Sequence, residues 1–249
     1  FDMVPLPDGT GFEVATPRIA GFNVAGPRSR EMLAGLTDAD LSNEGWRFMR
    51  SRRIAVGGVD CLAIRVSFTG DLGWELHCAV DDQVALYEIL LEAAAAHGGG
   101  PVGGRALGAL RIEKGYGSWG REYSPEYWPQ EAGLHGLIKL DKDFLNKEAY
   151  LKISNTPPRE SLTMFEVDVT DNADANGGEP IFLADGTPVG RVTSGSYGYT
   201  VGKSLAIGYA REGVVSAGDR VEIFILGKPH AATVLDKPPF DAGGERLRA

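Results

Sequence analysis

The stretch FTGDLGWEL, residues 68–76, stands between two apolar segments and predicts the turn of a β-hairpin. The segment before it, CLAIRVSF at residues 61–68, alternates in hydropathy with the two-residue period of a half-buried strand. The segment after it, WELHCAV at residues 74–80, is apolar and aromatic enough for a second strand. Gly70 and Gly73 accept positive φ angles, so the residues between the two segments can turn the chain tightly.

Glu75 falls on the second predicted strand, with Phe68 and Trp74 on either side of the turn. A strand holds a side chain in position better than a mobile loop does. A carboxylate beside aromatic rings suits a flat, nitrogen-rich heterocycle as a ligand. The alternative is an ordinary hairpin with a solvated Glu75, and this stretch alone leaves both interpretations open.

The composition of the 249 residues, 43% hydrophobic and 24% charged, is that of a soluble globular protein. The net charge of −9 argues against nonspecific binding to nucleic acid or to anionic membranes, because both need a basic surface. No apolar run reaches the roughly 18 residues of a membrane span, and no signal peptide opens the chain. Because the chain begins with Phe1 rather than Met, we expect it to be a piece of a longer protein.

The two cysteines, Cys61 and Cys78, fall on the two predicted hairpin strands. Without further cysteines or a CxxC pair, reduced core thiols are expected rather than a disulfide scaffold or a zinc site. The four histidines are scattered, and none has a partner at metal-ligand spacing. No metal site is therefore predicted.

Hydrophobic periodicity predicts an α+β region over residues 1–157, with an irregular start at 1–16. Helices are expected at about 27–36, 81–97, 104–114 and 143–153, and further strands at 18–25 and 53–56. Val84, Tyr87, Leu91 and Ala94 are expected on the packed face of the second helix, and Leu107 and Leu110 on that of the third. Arg111 and Glu113 are two residues apart, so they should point in different directions rather than form an ion pair on the helix surface.

After the helix breaker NTPP at residues 155–158, the pattern changes to short strands separated by glycine-rich turns. About six strands at this spacing predict a small antiparallel barrel over residues 158–249. The strands are expected at 162–169, 180–183, 187–194, 204–209, 220–225 and 230–234. SGSYGYTVG at residues 194–202 sits among them and predicts a hairpin turn rather than a phosphate-binding loop.

The loop at residues 115–133 is long and rich in aromatic side chains. It contains Tyr116, Trp119, Tyr123, Tyr127 and Trp128. Long loops in compact domains are usually functional or disordered, and this aromatic content argues against disorder. The loop can form the wall of a ligand site or a packing plug, and the sequence does not choose between them.

Several motifs in a fixed order resemble the glycine cleavage T-protein (aminomethyltransferase) family. They are FNVAGPRSREMLAGLTDADLS, RVSFTGDLGWEL, ALRIEKGYGSWG, PQEAGL, KLDKDFLNKEAYL, GRVTSGSYGYTVGKSLAIGY and VEIFILGKPHAATVL. The resemblance extends over nearly the whole chain. It is closer still to the carboxyl-terminal region of dimethylglycine and sarcosine dehydrogenases.

The resemblance implies a folate-binding α+β domain followed by the barrel, with tetrahydrofolate as the ligand. In those flavoproteins an amino-terminal FAD domain oxidises an N-methyl amine, and the folate region captures the one-carbon unit as methylenetetrahydrofolate. FAD and its domain would be partners absent from this chain. The family's catalytic carboxylate would lie before Phe1, so no catalytic residue is assigned.

The resemblance also implies the residues that bind the folate. Glu75 matches the glutamate that accepts hydrogen bonds from the pterin ring. Phe68 replaces an aromatic residue, usually Tyr, that packs near the pterin. Tyr116 matches a position lining the site, and Trp119 a position close to it.

The chain departs from the T-protein pattern at one cationic position. Leu107 stands where T-proteins have an arginine. The dehydrogenases also tend to lack this arginine. Arg105, two residues earlier, points elsewhere on the helix and is a weak substitute. Lys228 stands roughly where T-proteins have another arginine and would meet the folate glutamate tail as a point charge.

The sequence is compatible with three functions. The first is the folate-binding one-carbon-transfer region of a dimethylglycine or sarcosine dehydrogenase-like enzyme. The others are a fragment of a flavin-free aminomethyltransferase or demethylase, and a degenerate structural module. The expected location is cytoplasmic, or the mitochondrial matrix if the source is eukaryotic.

Overall fold

The structure, a computed structural model, describes residues 8–171 and 173–249. The chain forms two compact units. Among the described residues, the first contains residues 8–67, 71–101 and 246–249, and the second contains residues 68–70 and 102–245 without residue 172. The predicted boundary between residues 157 and 158 falls inside the second unit and stays a prediction. The predicted irregular start at 1–16 lies partly outside the described residues.

The first unit is a four-stranded antiparallel sheet with helices packed on one face. The strands are β1 (Ile19–Ala25), β2 (Ser51–Val56), β3 (Val59–Ile64) and β4 (Gly73–Ala79), in the order β1-β4-β3-β2. The helices are α1 (Ser29–Ala34) and α2 (Gln83–Ala96). The core beneath them includes Trp46, Trp74, Leu76 and Leu86, all fully buried.

The predicted hairpin is present as the antiparallel pair β3 and β4, in which Leu62 lies opposite His77. The prediction was wrong about its turn. β3 ends at Ile64 rather than Phe68, so residues 65–72 form a longer connection. After Ile64 the register with β4 ends, and the backbone of Arg65 instead exchanges hydrogen bonds with Arg50 at 2.9 Å and Met49 at 2.8 Å.

The packed face predicted for α2 was wrong for three of its four residues, since Ala94 packs against the core and the other three do not. Leu86 and Leu90 are buried, whereas Val84 is 66% exposed and Tyr87 45% exposed. Leu91 is exposed as well. The sequence QVALYEILLEAAAA is apolar on several sides of the helix, so spacing alone does not distinguish the buried side.

The second unit joins two helices and a closed barrel. The helices are α3 (Gly104–Glu113) and α4 (Lys147–Ser154). The barrel strands are β5 (Glu160–Val167), β6 (Pro180–Phe182), β7 (Pro188–Gly198), β8 (Lys203–Arg211), β9 (Arg220–Ile225) and β10 (Lys228–Leu235). They close in the order β10-β5-β8-β7-β6-β9, which confirms the predicted six-stranded antiparallel barrel.

Short 3₁₀ helices complete the description, at Thr16–Arg18, Val80–Asp82, His135–Leu137 and Arg246–Arg248. The predicted α-helices are confirmed, although α1 and α4 are shorter than expected. On α3 the predicted inward residues were wrong, because Leu107 and Leu110 are only half-buried. Ala109 and Ile112 are buried instead, together with the charged residues Arg111 and Glu113.

Candidate functional site

Glu75 lies on β4, which β1 and β3 flank in the sheet of the first unit. Asn23 lies opposite Glu75 on β1, and Ile64 lies opposite it on β3. The Glu75 side chain is 40% exposed, and its Oε2 lies 3.5 Å from Nε2 of His77. Glu75 is therefore a partly exposed carboxylate on a backbone that is paired on both sides.

The face of the sheet that carries Glu75 is the one away from the core. Trp74 and Leu76, the neighbours of Glu75 along β4, are fully buried. Successive side chains of a strand point to opposite faces, so Glu75 and His77 share the other face. Their position leaves the carboxylate open to a ligand that carries hydrogen-bond donors.

Phe68 belongs to the second unit, together with the next two residues. Its side chain is half-buried. Gly70 has a φ of +87°, and a Cβ placed on it would lie 2.8 Å from Cδ of Lys114. The turn after Phe68 thus lies directly against the carboxyl end of α3, and a side chain at position 70 would displace Lys114.

Lys114 is a residue that sequence reasoning missed. It is 5% exposed, and its Nζ lies 3.0 Å from Oδ2 of Asp241 and 5.9 Å from the ring centre of Tyr116. Tyr116 is half-buried. The structure therefore brings the turn after Phe68, Lys114 and Tyr116 together. The one signal in the sequence is the position of Lys114 within the motif LRIEKGYG, where it was not singled out.

The other predicted site residues are more scattered. Trp119 is 88% exposed and forms a single bridge with Tyr123. Arg105 is exposed on α3. Lys228 begins β10, and its Nζ lies 3.2 Å from Oδ2 of Asp171. Glu75 lies in the first unit and the other predicted site residues lie in the second.

Part of the aromatic loop packs against the barrel. The ring of Tyr127 stacks on that of Tyr209, with centroids 3.4 Å apart. Arg191 donates to the hydroxyl of Tyr127 and lies over its ring. Arg159 lies 4.9 Å from the ring centre of Trp128. The packing interpretation therefore holds for Tyr127 and Trp128, whereas Tyr116 and Trp119 keep exposed surface.

A buried polar cluster joins α3, the aromatic loop and β7, and sequence reasoning missed it. Arg111 lies 3.0 Å from Glu122 and donates to Ser194 at 2.6 Å, and Ser194 donates to Glu122 at 2.6 Å. Glu113 accepts a hydrogen bond from the backbone of Thr200 at 2.7 Å. Arg111 and Glu113 thus have different partners, as their spacing predicts, but both are buried rather than on the surface.

Hydrogen bonding holds the Glu122 carboxylate of this cluster in its ionised form. Burial alone would raise the pKa of Glu122, but donation from Ser194, Thr193 and the Ser118 amide, with the charge of Arg111, lowers it overall. Burial lowers the pKa of Arg111, and Glu122 opposes that shift. This arrangement is a stable structural ion pair, with no lone pair free in the geometry of a general base.

The described residues, 8–171 and 173–249, contain neither a metal-binding cluster nor a membrane-spanning helix. No group of three or more His, Cys, Asp or Glu side chains there could hold a metal ion. No helix in the same ranges is long and apolar enough to cross a membrane. Cys61 and Cys78 are free and buried, and burial raises the pKa of the Cys61 thiol to about 11.

Two family descriptions match this sequence. Residues 5–142 match the "GCVT N-terminal domain", and residues 161–241 match the "Glycine cleavage T-protein C-terminal barrel domain". Together they cover most of the chain, in the order that the sequence motifs predict.

Individual proteins that are similar to this chain belong to the same family or contain its domains. Mouse dimethylglycine dehydrogenase, a mitochondrial protein, is 38% identical over 225 residues, which are 90% of this chain and 26% of that protein. An aminomethyltransferase of Caldanaerobacter subterraneus is 32% identical, over 90% of this chain and 59% of that protein. The crystal structure of aminomethyltransferase T from Bartonella henselae superposes with a TM-score of 0.78 and 24% identity, over 90% of this chain and 60% of that one.

Proposed function

This chain belongs to the glycine cleavage T-protein family, and on that premise we propose that it binds tetrahydrofolate for one-carbon transfer. The observation that carries the proposal is Glu75, a partly exposed carboxylate on the open face of a fully paired strand. A pterin ring presents an N–H and an amino group side by side. An ionised carboxylate accepts two such donors without losing its other contacts.

The residues of the second unit fit the same ligand class. Phe68 and Tyr116 offer partly exposed aromatic surface, and Lys114 at the carboxyl end of α3 lies against Gly70 in the turn that follows Phe68. Aromatic faces suit the flat ring system of a folate. Trp119 adds further exposed aromatic surface in the same loop. Tetrahydrofolate, when bound, would supply the nitrogen atoms that accept the one-carbon unit.

The parent activity that we propose is amine demethylation coupled to this transfer. The chain spans about a quarter of the length of the dimethylglycine dehydrogenases that it matches. We infer that FAD and the oxidation step belong to the remainder of such a protein, and that the folate region receives the one-carbon product. The location, cytoplasmic or mitochondrial matrix, stays a prediction.

A second candidate is a flavin-free aminomethyltransferase. The observation in its favour is the match to the Caldanaerobacter aminomethyltransferase, of which this chain covers a much larger share, 59%. The sequence of the gene upstream of residue 1 separates the two. A dinucleotide-binding GxGxxG motif followed by several hundred residues supports the dehydrogenase, and a short upstream region without that motif supports the aminomethyltransferase.

The experiment that tests folate binding is titration calorimetry of tetrahydrofolate on the wild type and on Glu75→Gln. The substitution keeps the shape but replaces one acceptor oxygen by a donor that faces the donors of the ring. We expect the Kd to rise ten- to a hundredfold, or about 1.5–3 kcal/mol, as for the loss of a charge-assisted hydrogen bond.

The matched control is Glu88→Gln, on the exposed side of α2. It removes the same charge from the same unit and should leave the Kd unchanged. Equal dissociation constants for the wild type and Glu75→Gln would remove Glu75 from the site. If folate neither binds nor raises the melting temperature of the wild type, the structural-module interpretation replaces the proposal.

A further inference from the structure

We propose that His77 is a positioning residue that holds the Glu75 carboxylate in the orientation that receives the pterin donors. The inference rests on the proposed function, since it concerns the same site. Its basis is the 3.5 Å separation between His77 Nε2 and Glu75 Oε2. The resemblance to the family implies no role for His77.

The geometry of β4 makes this pairing local and direct. Glu75 and His77 are two residues apart on one strand, so their side chains leave the same face of the sheet. They are similarly exposed, at 40% and 33%. The two side chains are therefore neighbours on the surface where the ligand is proposed to lie, and neither is withdrawn into the core.

The neighbouring strand β1 determines which imidazole nitrogen faces Glu75. Gly21 lies opposite His77 across the ladder. A Cβ placed on Gly21 would lie 3.3 Å from Nδ1 and 3.5 Å from Cε1 of the imidazole. The ring thus rests over the bare backbone of Gly21 with Nδ1 toward β1, which leaves Nε2 to face Glu75.

The residues directly opposite Glu75 and His77 on β1 and β3 carry no charge, and the nearest cation of the same face by register is Arg53 on β2, opposite Leu62. Asn23 lies opposite Glu75 on β1, and Leu62 and Ile64 lie opposite His77 and Glu75 on β3. A carboxylate has about four lone-pair sites on its two oxygens, so a contact with His77 at 3.5 Å on Oε2 leaves acceptor sites for the pterin. A side chain whose rotamer is fixed before binding loses less conformational entropy when the ligand arrives.

The test is a double-mutant cycle read by calorimetric titration with tetrahydrofolate. We expect His77→Ala to raise the Kd about three- to tenfold, because the Glu75 carboxylate loses its polar neighbour at 3.5 Å and gains rotamer freedom that binding must then remove. His77→Gln, whose amide nitrogen can replace Nε2 as a donor, should restore the Kd to within about twofold of the wild type. In a Glu75→Gln background, His77→Ala should have almost no effect, because its role acts through Glu75.

If His77→Ala weakens tetrahydrofolate binding equally in the wild type and in the Glu75→Gln background, His77 contacts the ligand independently of Glu75. That result would overturn the proposed positioning role. A Kd unchanged by His77→Ala, or not rescued by His77→Gln, would overturn it as well. A wild type that does not bind tetrahydrofolate refutes the proposed function itself. Circular dichroism melting confirms that each variant is folded.

Discussion

Glu131 is a fully buried carboxylate whose hydrogen-bond donors come from two places in the chain. It accepts from the backbone N–H of Trp128 at 2.9 Å and from the backbone N–H of Arg159 at 3.0 Å. The guanidinium of Arg159 adds two further donors, at 2.8 and 2.7 Å. The side-chain hydrogen bonding of Arg159 is the main cause that lowers the pKa of Glu131 to about 2.

Glu131→Gln is expected to lower the free energy of unfolding at pH 7 by about 1.5–3 kcal/mol, the contribution of hydrogen bonds to a charged group. The folded-state pKa lies below the ordinary value of 4.5. The stabilisation is therefore complete above pH 4.5 and is lost as the pH falls through about 2. Urea unfolding at pH 7 and pH 3 should show the difference between wild type and variant shrinking at the lower pH.

The control for this prediction is Glu126→Gln, in the same loop. The Glu126 side chain is 74% exposed and lies 3.6 Å from Arg191, so its ion pair is screened by solvent. We expect a change below about 0.5 kcal/mol at either pH. A Glu131→Gln difference that stayed constant from pH 7 to pH 3 would contradict the role assigned to its charge.

At the scale of single residues, the sequence predicted environments better than partners. Glu75 could be placed on a strand from the alternation around it, and the structure has it there. Glu122 and Glu131 could not be recognised as buried, because several of the groups that donate hydrogen bonds to them are far along the chain. Ser194 follows Glu122 by 72 residues, and Arg159 follows Glu131 by 28. Local periodicity contains no information about such distant partners.

At the scale of elements, α3 is attached to the barrel by the Arg111 cluster. Arg111→Met should lower the free energy of unfolding by about 3–5 kcal/mol, because it leaves the buried charge of Glu122 without its cation. The double variant Arg111→Met/Glu122→Gln should cost less than the sum of the two single changes, since the second removes the uncompensated charge. Urea unfolding of the three variants measures this coupling.

The matched control lies on the same helix. Arg105→Met removes the same charge from an exposed position of α3 and should change stability by less than about 0.5 kcal/mol. If Arg111→Met were no more costly than Arg105→Met, the cluster would contribute nothing to stability. Exact additivity in the double variant would show that Arg111 and Glu122 act independently.

Strands with alternating hydropathy that glycine turns separate could be predicted from the sequence. For a helix that is apolar on several sides, the helix could be predicted but its buried side could not. The barrel strands are short, alternate in hydropathy and are separated by glycine turns, so their number and positions followed from the sequence. The existence of α2 was equally clear. Its buried side could not be predicted, because the helix has few polar residues. The buried Leu86 and Leu90 are no more apolar than the exposed Val84 and Leu91.

At the scale of the whole molecule, we predict that this 249-residue chain does not oxidise dimethylglycine or sarcosine, with or without added FAD. The sequence contains no GxGxxG motif that follows a strand and opens a helix. Protein side chains do not carry out this redox step without a cofactor. Substrate-dependent reduction of an electron-accepting dye by the purified chain is the measurement. Dye reduction above the level without substrate would refute the prediction.

The two compact units do not follow one another simply along the chain. Residues 68–70 are counted with the second unit, and residues 246–249 are counted with the first. The carbonyl oxygen of Ala249 accepts hydrogen bonds from Arg30 at 2.7 Å and from Arg65 at 2.9 Å. Arg65 is almost completely buried, so this last stretch contributes to the interior of the first unit.

This interleaving limits how the gene can be divided. A cut after codon 101 separates most of the first unit from most of the second. Residues 246–249 of the first unit then remain with the second unit, and Arg65 loses one of its hydrogen-bond acceptors. Neither product is then a self-sufficient module. Swapping the second unit between relatives therefore requires junctions near codons 101 and 245, so that residues 246–249 stay with the sheet to which they belong, and residues 68–70 have to be exchanged as well.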